Sequence, residues 1–140
     1  MSAANLHASA VAFGSARGVL ILGPSGAGKS RLALALIDGG AQLVADDQVF
    51  LAADAGALFA RAPRSTFGLI EARGLGLIRV LARRLARVVL AVDLAAPAER
   101  LPQPQSRTLA GVTIECLPGR PDGSFARALA RYVLDKRNPG

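Results

Sequence analysis

The sequence predicts an α/β fold of the P-loop type in one domain that spans residues 1–140, and three observations carry this prediction. A glycine-rich segment separates an apolar run from a helix-forming run, which is the strand, loop and helix order of P-loop proteins. Further short apolar runs alternate with turn residues, as is typical of strands. A hydrophobic fraction of 51% in 140 residues is enough to enclose a core.

The N-terminal part predicts two paired strands followed by a helix. Residues 6–13 and 19–22 are apolar runs separated by glycines, which favours a pair of strands. Residues 30–37 are rich in helix formers, and the glycine pair at 39–40 supplies a helix end.

The middle of the chain predicts short strands around an acidic pair. Residues 43–45 form an apolar run that leads into Asp46 and Asp47, and residues 49–52 continue as extended chain. A turn at 54–56 precedes a strand at 57–61. Glycines within residues 65–77 argue against a helix there and favour a loop at the edge of a site.

The stretch from residue 77 to residue 92 allows two interpretations. The favoured one is a strand, a short arginine-rich connection and a buried strand at 87–94. The alternative is a basic amphipathic helix that would dock on a membrane surface or a partner. Its apolar face would hold Leu77, Leu81, Leu85 and Val88.

The C-terminal third predicts a connection, a strand and a helix. Residues 97–107 are typical of a surface connection, and residues 112–116 of a short strand. Residues 124–136 have helical spacing of apolar and basic residues. The predicted buried side of this helix holds Phe125, Leu129, Tyr132 and Val133.

Composition narrows the class of protein. The net charge of +7 suggests an anionic partner, but only 4% of residues are aromatic, so the stacking platforms of single-strand nucleic-acid binders are missing. We therefore expect no nucleic-acid partner. One cysteine excludes an internal disulfide, no run approaches the ~20 apolar residues of a membrane span, and the N-terminus does not resemble a secretory signal. These features predict a cytoplasmic protein.

The glycine-rich segment matches the P-loop pattern at every position. Its residues are Gly23, Pro24, Ser25, Gly26, Ala27, Gly28, Lys29 and Ser30. The glycines let backbone N–H groups face phosphates, Lys29 reaches the outer phosphates, and Ser30 offers a hydroxyl to Mg²⁺. The segment therefore predicts a nucleotide triphosphate site.

Candidate acidic and basic groups accompany this segment. Two adjacent carboxylates at a strand end, Asp46 and Asp47, can divide the work, since one can meet a metal and the other can accept a proton. His7 is the only histidine, and Glu71 lies beside a glycine-containing stretch; neither is decisive alone.

Three features in this order resemble the catalytic domain of HPr kinase/phosphorylase: His7 before the P-loop, the run at 44–47 after it, and the run at 70–78. The resemblance implies a fold similar to that of phosphoenolpyruvate carboxykinase. It also implies an ATP-dependent kinase that phosphorylates a serine of HPr, the phosphocarrier of the phosphotransferase system, or of an HPr-like protein.

The resemblance also implies roles for single residues. Lys29 and the loop would bind the phosphates of ATP, while Ser30, Asp47 and Glu71 would belong to the Mg²⁺ environment. Asp46 would accept the proton of the serine hydroxyl and would be oriented by His7.

The chain departs from the long members of this family in two respects. We expect no separate N-terminal domain, because His7 lies near the start of the sequence. The stretch at 77–88 is shorter than the family's loop, which implies reduced or no phosphorylase activity and leaves the roles of Arg83, Arg84 and Arg87 unassigned. The resemblance further implies a homo-oligomer, in the family a hexamer.

Two alternatives remain open at this point. One is a P-loop module that binds nucleotide and regulates a partner, although such a module has no need of His7, Asp46 and Glu71 together. The other is a small-molecule kinase, which is expected to carry a lid with arginines.

Overall fold

The computed structural model describes residues 3–96 and 105–135, which form eleven strands and two α-helices. The strands are β1 (Ala3–Leu6), β2 (Ser9–Ala12), β3 (Gly18–Leu22), β4 (Gln42–Ala45), β5 (Val49–Asp54), β6 (Ala57–Arg61), β7 (Leu69–Ala72), β8 (Gly76–Arg79), β9 (Ala86–Asp93), β10 (Gln105–Leu109) and β11 (Val112–Pro118). The helices are α1 (Lys29–Asp38) and α2 (Gly123–Asp135). No helix within these ranges is long and apolar enough to cross a bilayer.

Nine strands form one mixed sheet: seven follow the order β1, β5, β6, β9, β3, β2, β4, and β11 pairs with β9 and carries β10 on its other side. The strand β9 forks this sheet, because its first half pairs with β6 and its second half pairs with β11 on the same side. The strand β9 is parallel to both β3 and β11. The strand β4 also runs in the direction of β3, because β2, which lies between them, is antiparallel to both. The carboxyl ends of β3, β4, β9 and β11 therefore meet at one edge of the sheet.

The central strand β3 is buried on both faces of the sheet. Val19 and Ile21 face a cluster that includes helix residues such as Leu32 and Leu129, whereas Leu20 belongs to the cluster on the other face. A strand covered on both sides must be apolar at every position, which explains its unbroken apolar run.

The elements predicted before and after the glycine-rich segment are confirmed. The helix α1 covers the predicted 30–37, and Gly40 follows it with a φ of 110°, a conformation that favours glycine. The predicted strands at 43–45, 49–52, 57–61, 87–94 and 112–116 all have counterparts in the structure. Residues 6–13 contain the strand β2 but do not form one continuous strand, because residues 7–8 form a link between β1 and β2.

One interpretation made from the sequence is wrong, and one of two alternatives is decided. Residues 69–79 do not form a loop but the two-stranded hairpin β7–β8, in which Gly74 and Gly76 supply positive φ angles at the turn. Residues 77–92 form the favoured strand, short connection and strand, seen as β8 and β9, and not the alternative amphipathic helix, since β9 pairs with three neighbouring strands. Most of the predicted connection at 97–107 lies outside the described residues, and its last part belongs to β10.

The C-terminal helix α2 packs against the sheet through a narrower face than predicted. Leu129 and Val133 are buried, whereas Tyr132 is 43% exposed. The Tyr132 hydroxyl donates a hydrogen bond to the Glu115 carboxylate on β11. This bond, together with partial burial, raises the pKa of Tyr132 to about 12.

The raised pKa of Tyr132 predicts a measurable alkaline transition. Since Tyr132 is the only tyrosine and the chain has no tryptophan, absorbance of the phenolate reports on it alone. We expect a midpoint near 12 in the folded protein, against an ordinary value of 10.0. The folded state binds the proton more tightly, so this contribution to stability is present below pH ~10 and is lost as the pH rises toward 12. The Glu115→Gln variant should titrate nearer the ordinary value, and identical titrations of both proteins would contradict the assignment.

The first residue of β3 has no space for a side chain. A Cβ atom on Gly18 would lie 2.6 Å from the backbone oxygen of Arg87 on β9, and neither strand can withdraw without losing their pairing. We predict that Gly18→Ala lowers the free energy of unfolding by about 1–3 kcal/mol. The control is Gly123→Ala in α2, where a Cβ would meet only Arg127 at 3.6 Å and should add up to ~1 kcal/mol. Urea unfolding measures both, and effects of the same sign would argue against this packing.

Candidate active site

The glycine-rich loop, residues 23–28, leaves the carboxyl end of β3 and leads into α1. Gly23, Gly26 and Gly28 have φ angles of 153°, 84° and 100°, a region that side chains strongly disfavour. Among the described residues, no side chain caps the N-terminus of α1 and no acidic residue lies in its first turn. The loop and helix therefore leave backbone N–H groups and the positive end of the helix dipole available to an anion.

Lys29 is folded back over this loop. Its side chain is only 8% exposed, and its Nζ donates to the carbonyl oxygens of Gly23 at 2.8 Å and Pro24 at 3.0 Å. An ammonium group has three N–H donors, so these two bonds hold it in place and one donor remains for an anion above the loop.

Asp46 is a buried carboxylate with three donors around it. It is 5% exposed and accepts hydrogen bonds from the Ser9 hydroxyl at 2.7 Å, the Ser30 hydroxyl at 2.8 Å and the backbone N–H of Glu71 at 3.1 Å. These donors come from β2, α1 and β7, so one carboxylate joins three elements to the end of β4. A buried charge of this kind is tolerated because each oxygen is satisfied.

Asp47 points the opposite way. The Gln48 N–H donates to the Asp46 carbonyl at 2.9 Å, and the φ of Asp47 is 71°, which is the rare γ-turn with positive φ. Asp47 is thereby turned to the surface, where its Oδ1 lies 2.7 Å from the Nε2 of His7. The side chains of His7 and Asp47 are 52% and 74% exposed, so this pair is open to an incoming molecule.

An irregularity in the sheet brings Ser9 to Asp46. The register between β2 and β4 shifts after the pair Ala10 and Ala45, since Val11 then faces Leu43. A β-bulge bends and twists its strand and often re-aims side chains beside a site. Here it lies directly before the acidic pair and beside the buried Ser9 hydroxyl.

The structure corrects one expected contact. His7 does not orient Asp46 but meets Asp47, because the γ-turn directs Asp46 inward, where Ser9, Ser30 and Glu71 occupy its oxygens. His7, which lies in the exposed link between β1 and β2, can reach only the outward carboxylate.

The donor set suits Mg²⁺ bound together with phosphates. The Ser30 hydroxyl and the Asp46 carboxylate are adjacent oxygen ligands, the type that Mg²⁺ prefers. Within the described ranges no three His, Cys, Asp or Glu side chains converge as a complete metal cage. Such a cage is not needed, because Mg²⁺ is usually held by one or two carboxylates plus substrate phosphates. Glu71 contributes its N–H to Asp46, while its side chain is exposed at the site edge.

Three residues near this edge had not been identified from the sequence. Ser9 is a polar residue inside an apolar run, and that contrast is a signal for a buried hydrogen bond. Asp93 ends β9 beside the loop, and its Oδ2 accepts from the Nη2 of Arg107 at 3.2 Å. Only the pairing of β9, β10 and β11 brings Arg107 to this place, and no local pattern indicates it.

The buried and exposed members of the acidic pair should differ in their effect on stability. In Asp46→Asn an NH₂ group replaces one carboxylate oxygen, so a buried donor that faced this oxygen loses its acceptor. The free energy of unfolding should therefore fall by about 1–3 kcal/mol. The matched variant Asp47→Asn keeps a residue that tolerates positive φ and should stay within ~0.5 kcal/mol of the parent. Urea unfolding followed by circular dichroism compares the two, and equal losses would refute the central role of Asp46.

Comparison with known proteins identifies related chains. The model of the family described as "HPr Serine kinase C-terminal domain" matches residues 2–90. The HPr kinase/phosphorylase of Clostridium perfringens (strain SM101 / Type A) is 51% identical over 65 residues, which are 46% of this chain and 21% of the relative. That of Mycoplasmopsis pulmonis is 48% identical over 64 residues, again 46% and 21%. The chain thus aligns with about a fifth of the length of these curated relatives.

A solved structure is similar over nearly the whole chain. The Hpr(Ser) kinase/phosphatase from Coxiella burnetii superimposes with a TM-score of 0.80 at 26% sequence identity, covering 94% of this chain and 95% of that one. The similarity includes the central sheet and confirms the predicted mixed α/β fold.

Proposed function

The chain belongs to the HPr serine kinase C-terminal domain family, and on this premise we propose that it transfers the γ-phosphate of ATP to a serine of HPr or an HPr-like phosphocarrier protein. The observation that carries the proposal is the pairing of two carboxylates with different surroundings beside one glycine-rich loop. Asp46 is buried and accepts a hydrogen bond from the Ser30 hydroxyl, whereas Asp47 is exposed and contacts His7.

The glycine-rich loop is proposed as a P-loop in a kinase fold similar to that of phosphoenolpyruvate carboxykinase. Its three glycines with positive φ and the uncapped start of α1 support phosphate binding. Lys29, held by the carbonyls of Gly23 and Pro24, would direct its remaining N–H to the outer phosphates.

The Ser30 hydroxyl oxygen would hold Mg²⁺ with the phosphates, with Asp46 behind it and Glu71 at the edge of the same environment. The ion would supply positive charge that offsets the negative charge of the phosphates as the γ-group is transferred. Asp46 keeps the Ser30 hydroxyl in position through bonds at 2.8 and 3.0 Å.

Asp47 is proposed as the group that accepts the proton of the acceptor serine, and this exchanges the roles of Asp46 and Asp47 expected from the sequence. A base must be reachable by the hydroxyl that it deprotonates. Asp47 is 74% exposed, whereas proton uptake by Asp46 would displace one of its existing hydrogen bonds. The N–H of His7 would hold the Asp47 carboxylate toward the acceptor.

A kinase with reduced or no phosphorylase activity is the form that we favour. The link between β8 and β9 consists only of residues 80–85 and is shorter than the loop expected for the family's larger members. We also propose a cytoplasmic location, and a homo-oligomer of the kind that the family resemblance implies.

The proposed base can be tested by phosphoryl transfer. With [γ-³²P]ATP, Mg²⁺ and the HPr-like protein of the same organism, the parent should label a serine. Asp47→Asn should still bind ATP but lose about 10²–10⁴-fold in transfer rate, because no base takes the serine proton. Lys29→Ala should weaken both binding and transfer. The control Asp54→Asn removes an exposed carboxylate at the far end of β5 and should change neither.

The same experiment separates the competing assignments. If Asp47→Asn retains the rate of the parent, Asp47 is not the base, and the assignment of the base to Asp46 returns. If the parent binds ATP but labels no protein, a regulatory nucleotide-binding module replaces the kinase proposal.

A further inference from the structure

The edge of the sheet that holds the candidate site extends beyond the loop, on the side away from the acidic pair. Asp93 at the end of β9 is paired with Leu22 of β3 on one side and with Pro118 of β11 on the other. Three parallel strands therefore end in a row, and ligands of open α/β sheets bind outside such carboxyl ends. Asp46 and Asp47 occupy the opposite side of β3, beyond β2.

The segment that follows β11 is fixed against the loop. The Gly119 N–H donates to the Asp93 carbonyl at 3.1 Å. The Pro121 ring covers Gly28 so closely that a Cβ on Gly28 would lie 2.6 Å from the Pro121 Cβ. Arg120 lies between these two anchored positions, so its backbone is fixed next to the loop, and its side chain is exposed there.

A second arginine reaches the same edge from β10. One Nη of Arg107 donates to Asp93 Oδ2 at 3.2 Å, while Asp93 Oδ1 accepts from the Ala95 N–H at 2.9 Å. A partly exposed ion pair of this kind contributes little to stability. Its effect is to fix the direction of Arg107, whose side chain is 42% exposed and has further N–H donors.

The chemistry at the other side determines where a nucleotide must extend. In phosphoryl transfer the attacking and leaving oxygens lie roughly in line through the phosphorus. If the acceptor serine approaches from Asp47, the leaving diphosphate and its nucleoside point away from Asp47. From the loop, that direction leads across β3 to the ends of β9 and β11.

We propose that Arg107, held by Asp93, and Arg120, placed by the backbone anchored at Gly119 and Pro121, bind the nucleoside part of ATP. This inference rests on the proposed use of ATP by the same site. A guanidinium can stack on the base and donate hydrogen bonds to ribose hydroxyls, so arginine suits this contact better than lysine. The phosphates are left to Lys29, Ser30 and the loop.

The test compares two ligands that share a triphosphate but differ in the nucleoside. Isothermal titration with Mg²⁺ measures the Kd of ATP and of inorganic tripolyphosphate for the parent and for the double variant Arg107→Gln and Arg120→Gln. The double variant should bind ATP about tenfold or more weakly, since charged hydrogen bonds are lost, and tripolyphosphate within about twofold of the parent. The control Arg84→Gln removes an exposed arginine at the opposite end of β9 and should change neither Kd.

Two results would overturn the inference. An equal loss for both ligands would mean that the arginines act on phosphate charge, and no loss for either would place the nucleoside elsewhere. Because the titration needs no acceptor protein, its outcome is independent of whether a serine is labelled. A protein that binds ATP through these arginines but transfers nothing would contradict the kinase proposal alone.

Discussion

The hydrogen bonds to the Asp46 carboxylate are the interaction on which the arrangement of the site depends. A buried charge must be satisfied, and here the partners are the hydroxyls of Ser9 and Ser30 and the N–H of Glu71. Each partner belongs to a different element, so the charge fixes β2, the start of α1 and the hairpin β7–β8 relative to β4. The same bonds help to position the glycine-rich loop, because Ser30 is bonded to Asp46 and lies two residues after the end of the loop.

Two local distortions make this arrangement possible. The bulge between β2 and β4 brings Ser9 beside the end of β4, and the γ-turn at Asp47 separates adjacent carboxylates into a buried and an exposed environment. Positive φ at a residue other than glycine costs free energy and is retained where the surrounding structure enforces it, often at functional sites. In this chain the enforced turn produces two chemically different groups from two identical side chains.

The sequence contains most of the fold but not the final orientation of its functional groups. Strand β3, the loop and α1 could be predicted because each is encoded by its own local pattern: an apolar run, glycines and helix formers. The environments of Asp46 and Asp47 could not, since the γ-turn at Asp47, which no local pattern indicates, turns that carboxylate toward His7. The hairpin β7–β8 was missed because its glycines, interpreted as loop residues, form its turn. The place of Arg107 depends on pairing between strands that are distant in sequence.

The fork in the sheet at β9 has a consequence for how this fold diverges. The first half of β9 pairs with β6 and its second half pairs with β11, so these two strands use different residues of β9. Residues before β9 supply the acidic pair, the histidine and the loop, whereas residues after it supply the strand ends beside Asp93. The acidic pair and the loop follow β4 and β3, which lie on the other side of β9 from both β6 and β11. On the proposed function, the contact to the nucleoside and the groups for phosphoryl transfer would come from separate stretches of the chain, one after β9 and one before it, so each could vary in sequence while the other keeps its strand pairing.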